Sequence, residues 1–249
     1  MAEKNPILSI VIPMKNEAEN AGALLSEIAA VAGDLPEHEV IVVDDGSTDR
    51  TGEVVAGLAA ADARLRLLRH PRSGGQSAAV HSGVLAARGG IVATLDGDGQ
   101  NPPAELPRLV APLLADAAQR IGLVAGQRVR RQDSLSKRLG SRFANALRAW
   151  LLQDGTRDTG CGLKAFRREA FLRLPYFDHM HRYLPALFKR DGWQVALVDV
   201  AHRPRLAGRS NYSNLHRALV GIHDLIGVAW LIRRRKKAAP VADSAAKDD

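Results

Sequence analysis

The feature that most constrains this chain is an alternation repeated through its first hundred residues. Short, continuous apolar runs are separated by stretches with helical spacing. The runs are Ile7–Ile12, Val40–Val43, Leu65–Leu68 and Ile91–Leu95, each of strand length, and each lacks the polar alternation of a half-exposed strand. Such runs suit strands covered on both faces. Between them, Glu17–Val31, Arg50–Ala60 and Gln76–Ala87 read as helices; in the first, Ala21, Leu24, Leu25 and Ile28 recur on one face. Strands alternating with helices at this interval imply an α/β fold with a mostly parallel sheet.

In such sheets ligands bind beyond the carboxyl ends of the strands. Polar clusters fall at three of those ends: Pro13–Glu17, Asp44–Asp49 and Asp96–Gln100. Three clusters at three strand ends describe one site. Asp96 and Asp98, two residues apart, repel one another unless a cation or strong donors sit between them. With the Gln100 carbonyl they form a hard-oxygen set that fits Mg2+ or Mn2+, with a substrate diphosphate completing the shell, and does not suit zinc. A helix-loop-helix calcium site is excluded, because Asn101 stands where the turn glycine belongs and Pro107 where the bidentate glutamate belongs. Asp44, directly at its strand end, is suited to accept a hydrogen bond from a base or ribose. Asp45 and Asp49 serve equally as nucleotide contacts or helix caps, and Glu17 and Asn16 share that ambiguity.

Further on, a proline-interrupted helix (104–117) and a short strand (121–124) precede Gly126-Gln127-Arg128. Residues 134–152 read as an amphipathic helix, with Leu135, Leu139, Phe143, Leu147 and Leu151 in one row and Lys137, Arg138, Arg142 and Arg148 off it. A tight loop, Asp158–Gly162, leads into Leu163–Phe166. A helix near 181–190, a strand at 193–200 and a basic loop at 202–212 follow. His81, His179 and His181 have no partner legible from spacing and read as structural or surface residues. Cys161 reads as a small packed residue, and as the single cysteine it excludes an internal disulfide and suits a reducing cytosol.

The chain's 249 residues can bury one sizeable core. Its net charge of +8 is unevenly placed: residues 1–125 carry −6 and residues 126–249 carry +14. An acidic front suits a metal site, and a basic back suits phosphates or a membrane face. Aromatics are 4%, with no stacking platform, which argues against nucleic acid. No secretory signal is apparent at the N-terminus. In 215–232, Leu215, Leu219, Ile222, Ile226, Ala229 and Trp230 can share a helix face, but His216, Arg217, His223 and Asp224 interrupt any spanning segment. Arg233–Lys237 follows, so this stretch suits a helix lying on an anionic leaflet. The expected organisation is a catalytic domain over 1–213, a membrane-associating helix over 214–237 and a polar tail over 238–249.

Three motifs, Ile12–Glu17, Val42–Thr51 and Leu95–Pro103, resemble the family 2 inverting glycosyltransferases. Within that group, Gly126–Arg128, Arg157–Gly162 and Arg205–Ser210 resemble the dolichyl-phosphate mannosyltransferase branch. The resemblance runs from about Ile7 to Ser213. It implies the GT-A, Rossmann-like nucleotide-sugar transferase fold. By it, Pro13, Glu17 and Asp44 lie near the nucleoside, Lys15, Val42, Asp45 and Gly97 are further substrate-binding candidates, Asp96, Asp98 and Gln100 hold the metal, and Arg128 and Arg205, with Asp98 the candidate catalytic residues, face phosphates. Ser210, in the last of these motifs, is a substrate-binding candidate, and Arg138 and Arg142 are further candidates to grip the acceptor phosphate.

The sequence departs from the family pattern where Lys15 replaces an aromatic residue and Gly97 an alanine. Loop Pro71–Gln76 lacks an expected asparagine and receives no role. A lipid phosphate is already ionised and needs no protein base, whereas a hydroxyl acceptor does. The absence of a Gln-x-x-Arg-Trp element favours the phosphate. The implied activity is transfer from GDP-mannose or a UDP-sugar to a polyprenyl phosphate at the cytoplasmic face of the membrane, an integral-membrane partner being left open. Transfer to a glycolipid or glycan hydroxyl and a non-catalytic membrane-associated binding module are the alternatives.

Overall fold

The computed structural model describes residues 5–128, 148, 151, 152, 154–204, 214–235 and 238, with 214–220 as backbone alone. The reading of 134–152 as one helix therefore lies almost wholly outside the described residues, as do Arg138, Arg142, Arg205 and Ser210, the boundary at 213 and the tail from 239.

The alternation seen in the sequence becomes β1 (Leu8–Met14), α1 (Ala18–Ala30), β2 (His38–Asp44), α2 (Thr51–Ala59), β3 (Leu65–Arg69), α3 (Gln76–Ala86) and β4 (Ile91–Thr94). Then come α4 (Leu106–Ala115), β5 (Ile121–Arg128), β6 (Lys164–Arg167), α5 (Arg168–Leu172), α6 (Leu184–Arg190), β7 (Gln194–Val200) and α7 (Asn214–Arg233). Among the described residues seven strands form one sheet in the order β3-β2-β1-β4-β6-β5-β7. The apolar runs are buried on both faces: Leu8, Ile10, Val11 and Ile12 of β1 are all fully inaccessible. One face packs α1, α2 and α4 over Leu24, Ile28, Val55 and Leu109. The other packs α3, α5, α6 and α7 over Val80, Phe171, Phe188 and Val228. Phe166 stacks on Phe171 at 4.8 Å between centroids, and each such buried side chain contributes about 1.5–3 kcal/mol.

All pairings are parallel except those of β6, which runs antiparallel to both β4 and β5. Reversing one strand brings the amino end of β6 to the same edge as the carboxyl ends of the others. Residues 13–17, 44–49, 69–76, 96–100, 128, 164 and 200–203 thereby meet at one rim. The proline-interrupted helix starts two residues later than its sequence suggested, because Pro103–Glu105 forms a separate 3-10 turn.

Arg148, read as lying off the packed row, turns inward and pairs at 2.6 Å with Asp154, whose side chain is fully buried. The apolar residues of α7 divide between two environments. Val228 and Ala229 are buried against the body, while Ile222, Ile226 and Trp230 are 56, 64 and 59% exposed. Among the described residues no helix is long and apolar enough to cross a membrane.

Candidate active site

The first two polar clusters are laced together. The backbone N–H of Asn16 donates to Ser47 Oγ (3.0 Å), that of Glu17 to Thr51 Oγ1 (2.9 Å) and that of Ala18 to Asp49 Oδ2 (3.2 Å). Asn16 sits at a positive φ of 56°, and its amide oxygen accepts from the Thr48 N–H at 2.8 Å. The left-handed region is one that asparagine tolerates better than most residues. Asp44 is buried and accepts from the Ser47 N–H at 3.0 Å. Glu17 accepts from Asn20 Nδ2 at 2.6 Å. Lys15 is exposed at this rim, Pro13 is half-buried, and the Val42 side chain lies wholly inside the core.

Asp45 has a different role from its neighbour. Its Oδ1 accepts from His70 Nδ1 (2.7 Å) and the Gly74 N–H (2.8 Å), and its Oδ2 from Ser73 Oγ (2.7 Å) and the Gly75 N–H (2.8 Å). Burial raises its pKa, but these donors together outweigh burial and hold the carboxyl below the ordinary range. The carboxylate is thus the organiser of the loop 70–75. That loop ends at Gln76, whose Nε2 donates to Asp96 Oδ1 at 2.7 Å. The segment to which sequence reasoning gave no role therefore carries the link from the second cluster to the third.

In the third cluster, Asp96 Oδ2 accepts from Asn101 Nδ2 (3.2 Å) and Asp98 Oδ1 from the Gln100 N–H (3.1 Å). A Cβ at Gly97 would stand 3.0 Å from the Pro13 carbonyl oxygen and closer still to Met14, which is why a residue without a side chain lies between the aspartates. Burial and then the Asp98 charge push the Asp96 carboxyl up, against Lys164, Asn101 and Arg128. A buried carboxyl pushed up by the charge of its neighbour, with hard oxygens around the pair, fits a divalent cation of the magnesium or manganese type. The Asn101 side-chain amide oxygen, Oδ1, beside them is buried and lacks a hydrogen-bond partner. Among the described residues no three His, Cys, Asp or Glu side chains cluster for a metal, so the remaining ligands would come from amide oxygens and substrate.

The basic side of the rim comes from β5, β6 and β7. Arg128 is clamped by Asp158 through Nε–Oδ2 (2.5 Å) and Nη2–Oδ1 (2.9 Å). That pairing leads the causes that raise the Arg128 pKa. Gln127 Oε1 accepts from the N–H groups of Arg157 and Asp158, at 3.0 Å each, and fixes the loop that delivers Asp158. Lys164 is buried, and its ammonium donates to the Cys161 carbonyl. Arg203 donates to Gly99 O (2.5 Å) and forks onto Glu27 of α1 at 2.9 and 3.0 Å, while its N–H donates to Gln100 O (3.0 Å). Lys164, Arg203 and Gln76 were not singled out as site residues by sequence. Only their closeness to recognised motifs pointed to them, since the contacts span up to 176 positions.

The family model for glycosyl transferase family 2 matches residues 9–174. The chain belongs to that family. The family 2 chain is 33% identical to a dodecaprenyl-phosphate galacturonate synthase of Rhizobium johnstonii, over 92% of this chain and 68% of the relative. It is 34% identical to an undecaprenyl-phosphate 4-deoxy-4-formamido-L-arabinose transferase of Photorhabdus laumondii, over 83% of this chain and 63% of the relative. The chain thus spans about two thirds of the length of these relatives. Its fold is that of nucleotide-sugar transferases. Glucosyl-3-phosphoglycerate synthase of Mycobacterium tuberculosis, solved with Mn2+, UDP and glucosyl-3-phosphoglycerate, superposes with a TM-score of 0.68 at 21% identity, over 94% of this chain and 82% of that one. A mannosyltransferase of Pyrobaculum calidifontis, solved with GDP-Man and Mn2+, gives 0.63 at 22% identity, over 95% and 66%. The GT-A, α/β expectation is met by these folds and by the sheet itself.

Proposed function

We propose that this family 2 chain transfers a sugar from a nucleotide-sugar donor to a polyprenyl phosphate. The observation that carries the reading is the meeting of Asp96 and Asp98 with Arg128 and Lys164 at one rim, in a chain one third identical to polyprenyl-phosphate sugar transferases. Asp44 and Glu17 receive the nucleoside end, with Pro13 and Lys15 at its border. Asp96, Asp98 and Gln100 would hold Mg2+ or Mn2+, which would supply Lewis-acid neutralisation of the leaving diphosphate. Arg128, locked in orientation by Asp158, presents its remaining N–H donors to a phosphate. The attacking oxygen belongs to an already ionised phosphate, so no protein base is required.

The assay is direct. Full-length protein with Mn2+, labelled UDP- or GDP-sugars and polyprenyl phosphate should form organic-extractable label that mild acid releases. Asp98→Asn should abolish it, by at least about a hundredfold, with an unchanged melting curve. Acid-resistant label would instead indicate a hydroxyl acceptor. No label with any donor would defeat the transferase reading.

A polyprenyl phosphate acceptor would lie in a membrane, and α7 supports peripheral binding to the surface of one. Ile222, Ile226 and Trp230 recur every fourth residue on the exposed side, exposed Arg233 and Arg234 follow, and Asp224, the one acidic residue of 214–235, turns to His179 at 3.3 Å. Pelleting with phosphatidylglycerol vesicles should fall in an Ile226→Ser/Trp230→Ser variant. Undiminished pelleting would remove this helix from the membrane contact.

A further inference from the structure

The sheet ends on two strands of different character. β3 is five residues long and carries Arg66 and Arg69, and charge of this kind protects an edge from pairing. β7, at the other edge, runs for seven residues, Gln194–Val200, with no proline and no basic side chain. Among the described residues its one strand neighbour is β5.

The direction of its backbone groups follows from one bond. The Gln194 N–H donates to Arg120 O at 2.9 Å, so Gln194 faces the β5 side, and successive residues of a strand turn their N–H and C=O to alternate sides. Ala196, Val198 and Val200 follow Gln194 inward, while Val195, Leu197 and Asp199 turn theirs to the free edge. The irregularity in the ladder is an extra residue of β5, between Ile121 and Leu123, so the alternation along β7 is unbroken. Ala196 and Val198 pack against the core on one face of the sheet and Val195 against the core on the other. Leu197 lies on the Val195 side and is 40% exposed, and the Asp199 side chain is 55% exposed. An open row of backbone donors and acceptors with a bare leucine at its middle is a template for a further strand.

A second copy of the same strand fits it. Antiparallel pairing about a two-fold axis at Leu197 sets the two Leu197 side chains side by side, each Ala196 opposite the other copy's Val198, and each Val195 opposite the other copy's Asp199. The three outward residues of each strand then exchange about six hydrogen bonds. Moving the axis to Asp199 opposes that residue to itself, and moving it to Val195 brings Asp199 against Asp191, both like-charge pairs. Moving it to Ala196 or Val198 leaves strand ends unpaired. Because the axis is normal to the sheet, both copies keep α7 on one side of it, which is compatible with a single membrane surface; the pairing itself does not depend on the membrane reading or on the transfer chemistry. We propose that β7 is a docking edge for a second copy of this chain, the two strands joining antiparallel about Leu197 into one continuous sheet.

Sedimentation velocity of the full chain over a wide concentration range should show a reversible dimer. Leu197→Lys, which places two ammonium groups side by side across the axis, should weaken self-association at least about tenfold. Ile226→Lys, at a more exposed apolar residue of α7, should leave it unchanged. The register is tested on cysteine variants, since the native Cys161 is buried. A short bismaleimide should link copies of Leu197→Cys, about 5.5 Å apart between Cα atoms, and not copies of Gln194→Cys, about 20 Å apart. A wild type that is monomeric at every concentration overturns the proposal and leaves the edge to another segment of this chain or to a different protein. A dimer that survives Leu197→Lys, or is lost in Ile226→Lys, overturns it in favour of a contact elsewhere. Equal linkage of the two cysteine variants, or none, overturns it even where Leu197→Lys fails to fold.

Discussion

Gly162 lies so close to Asp96 that a Cβ built on it would occupy the space of the Asp96 carboxylate. The loop before β6 and the loop after β4 are thereby fitted against one another through an absent side chain. Gly162→Ala must push the carboxylate aside or lift the 158–163 loop, and overpacking of this kind costs about 1–3 kcal/mol. The expected result is a fall of at least about a hundredfold in kcat/KM and clear loss of Mn2+-dependent nucleotide binding, with a modest decrease in Tm. Gly57→Ala in α2, where a Cβ meets nothing within 4 Å, is the matched control and should keep full activity. Equal behaviour of the two variants would refute the fitted contact.

Asp45 should matter for stability more than for chemistry. Asp45→Asn keeps one acceptor oxygen and turns an NH2 group toward donors that previously bonded Oδ1 or Oδ2. A loss of about 3 kcal/mol is expected, a drop in Tm of about 6–12 °C for a chain of this size. The folded Asp45 pKa is depressed, so its contribution is present above the unfolded value and is lost as pH falls through the folded value. Wild type and variant should therefore converge in acid, below about pH 4. A gap that persists there would assign the effect to packing instead of charge.

His181 predicts a second pH dependence of opposite origin. Burial, with Lys164, Arg182 and His179 adding to it, holds its pKa well below the ordinary value, and its Nδ1 lies 2.8 Å from Ser77 Oγ. The unfolded chain takes up a proton near pH 6.5 while the folded chain does not, so folding stability falls as pH drops below that value. The slope approaches about 1.4 kcal/mol per pH unit from this residue. Denaturant titrations of wild type and His181→Gln between pH 7.5 and 5 should show a flatter profile in the variant. Parallel profiles would show that the imidazole is not the buried neutral group described.

Which of these relationships sequence could reveal follows from their range. Strands β1 to β4 and helices α1 to α3 were legible because hydrophobic runs and 3.6-residue spacing are local signals, and so were the three acidic clusters at the strand ends. The reversal of β6 was not, since a four-residue run carries no mark of direction. Nor was the division between Asp44 and Asp45: adjacent in sequence, one has an oxygen bonded to its own turn while the other spends both on a loop 25–30 residues away. His181 had no partner at any helical spacing, because Ser77 is 104 positions distant. The row Ile222, Ile226 and Trp230 was legible as an apolar face left uncovered by the body, but the burial of Ala229, read on the same face, was not, since it depends on where the body of the fold meets the helix.

Arg203 gives the last prediction, and it separates loop positioning from fold stability. Its guanidinium joins Glu27 of α1 to the Gly99 carbonyl, so a helix on one face of the sheet steadies the turn that carries Asp98 and Gln100. Both partners are partly exposed, at 29 and 37%, and solvent screening limits such a pair to about 1 kcal/mol of stability. Arg203→Met should therefore leave Tm within about 2–4 °C of wild type. The turn, however, loses its clasp, and Mn2+-dependent nucleotide affinity should fall about tenfold, an effect worth about 1.4 kcal/mol. Glu27→Gln should reproduce part of that loss, and the double variant should be no worse than Arg203→Met alone, because the two side chains act through one contact. Additive losses would mean that Glu27 and Arg203 influence the site by separate routes, and undiminished nucleotide affinity in Arg203→Met would mean that the turn holds its shape without them.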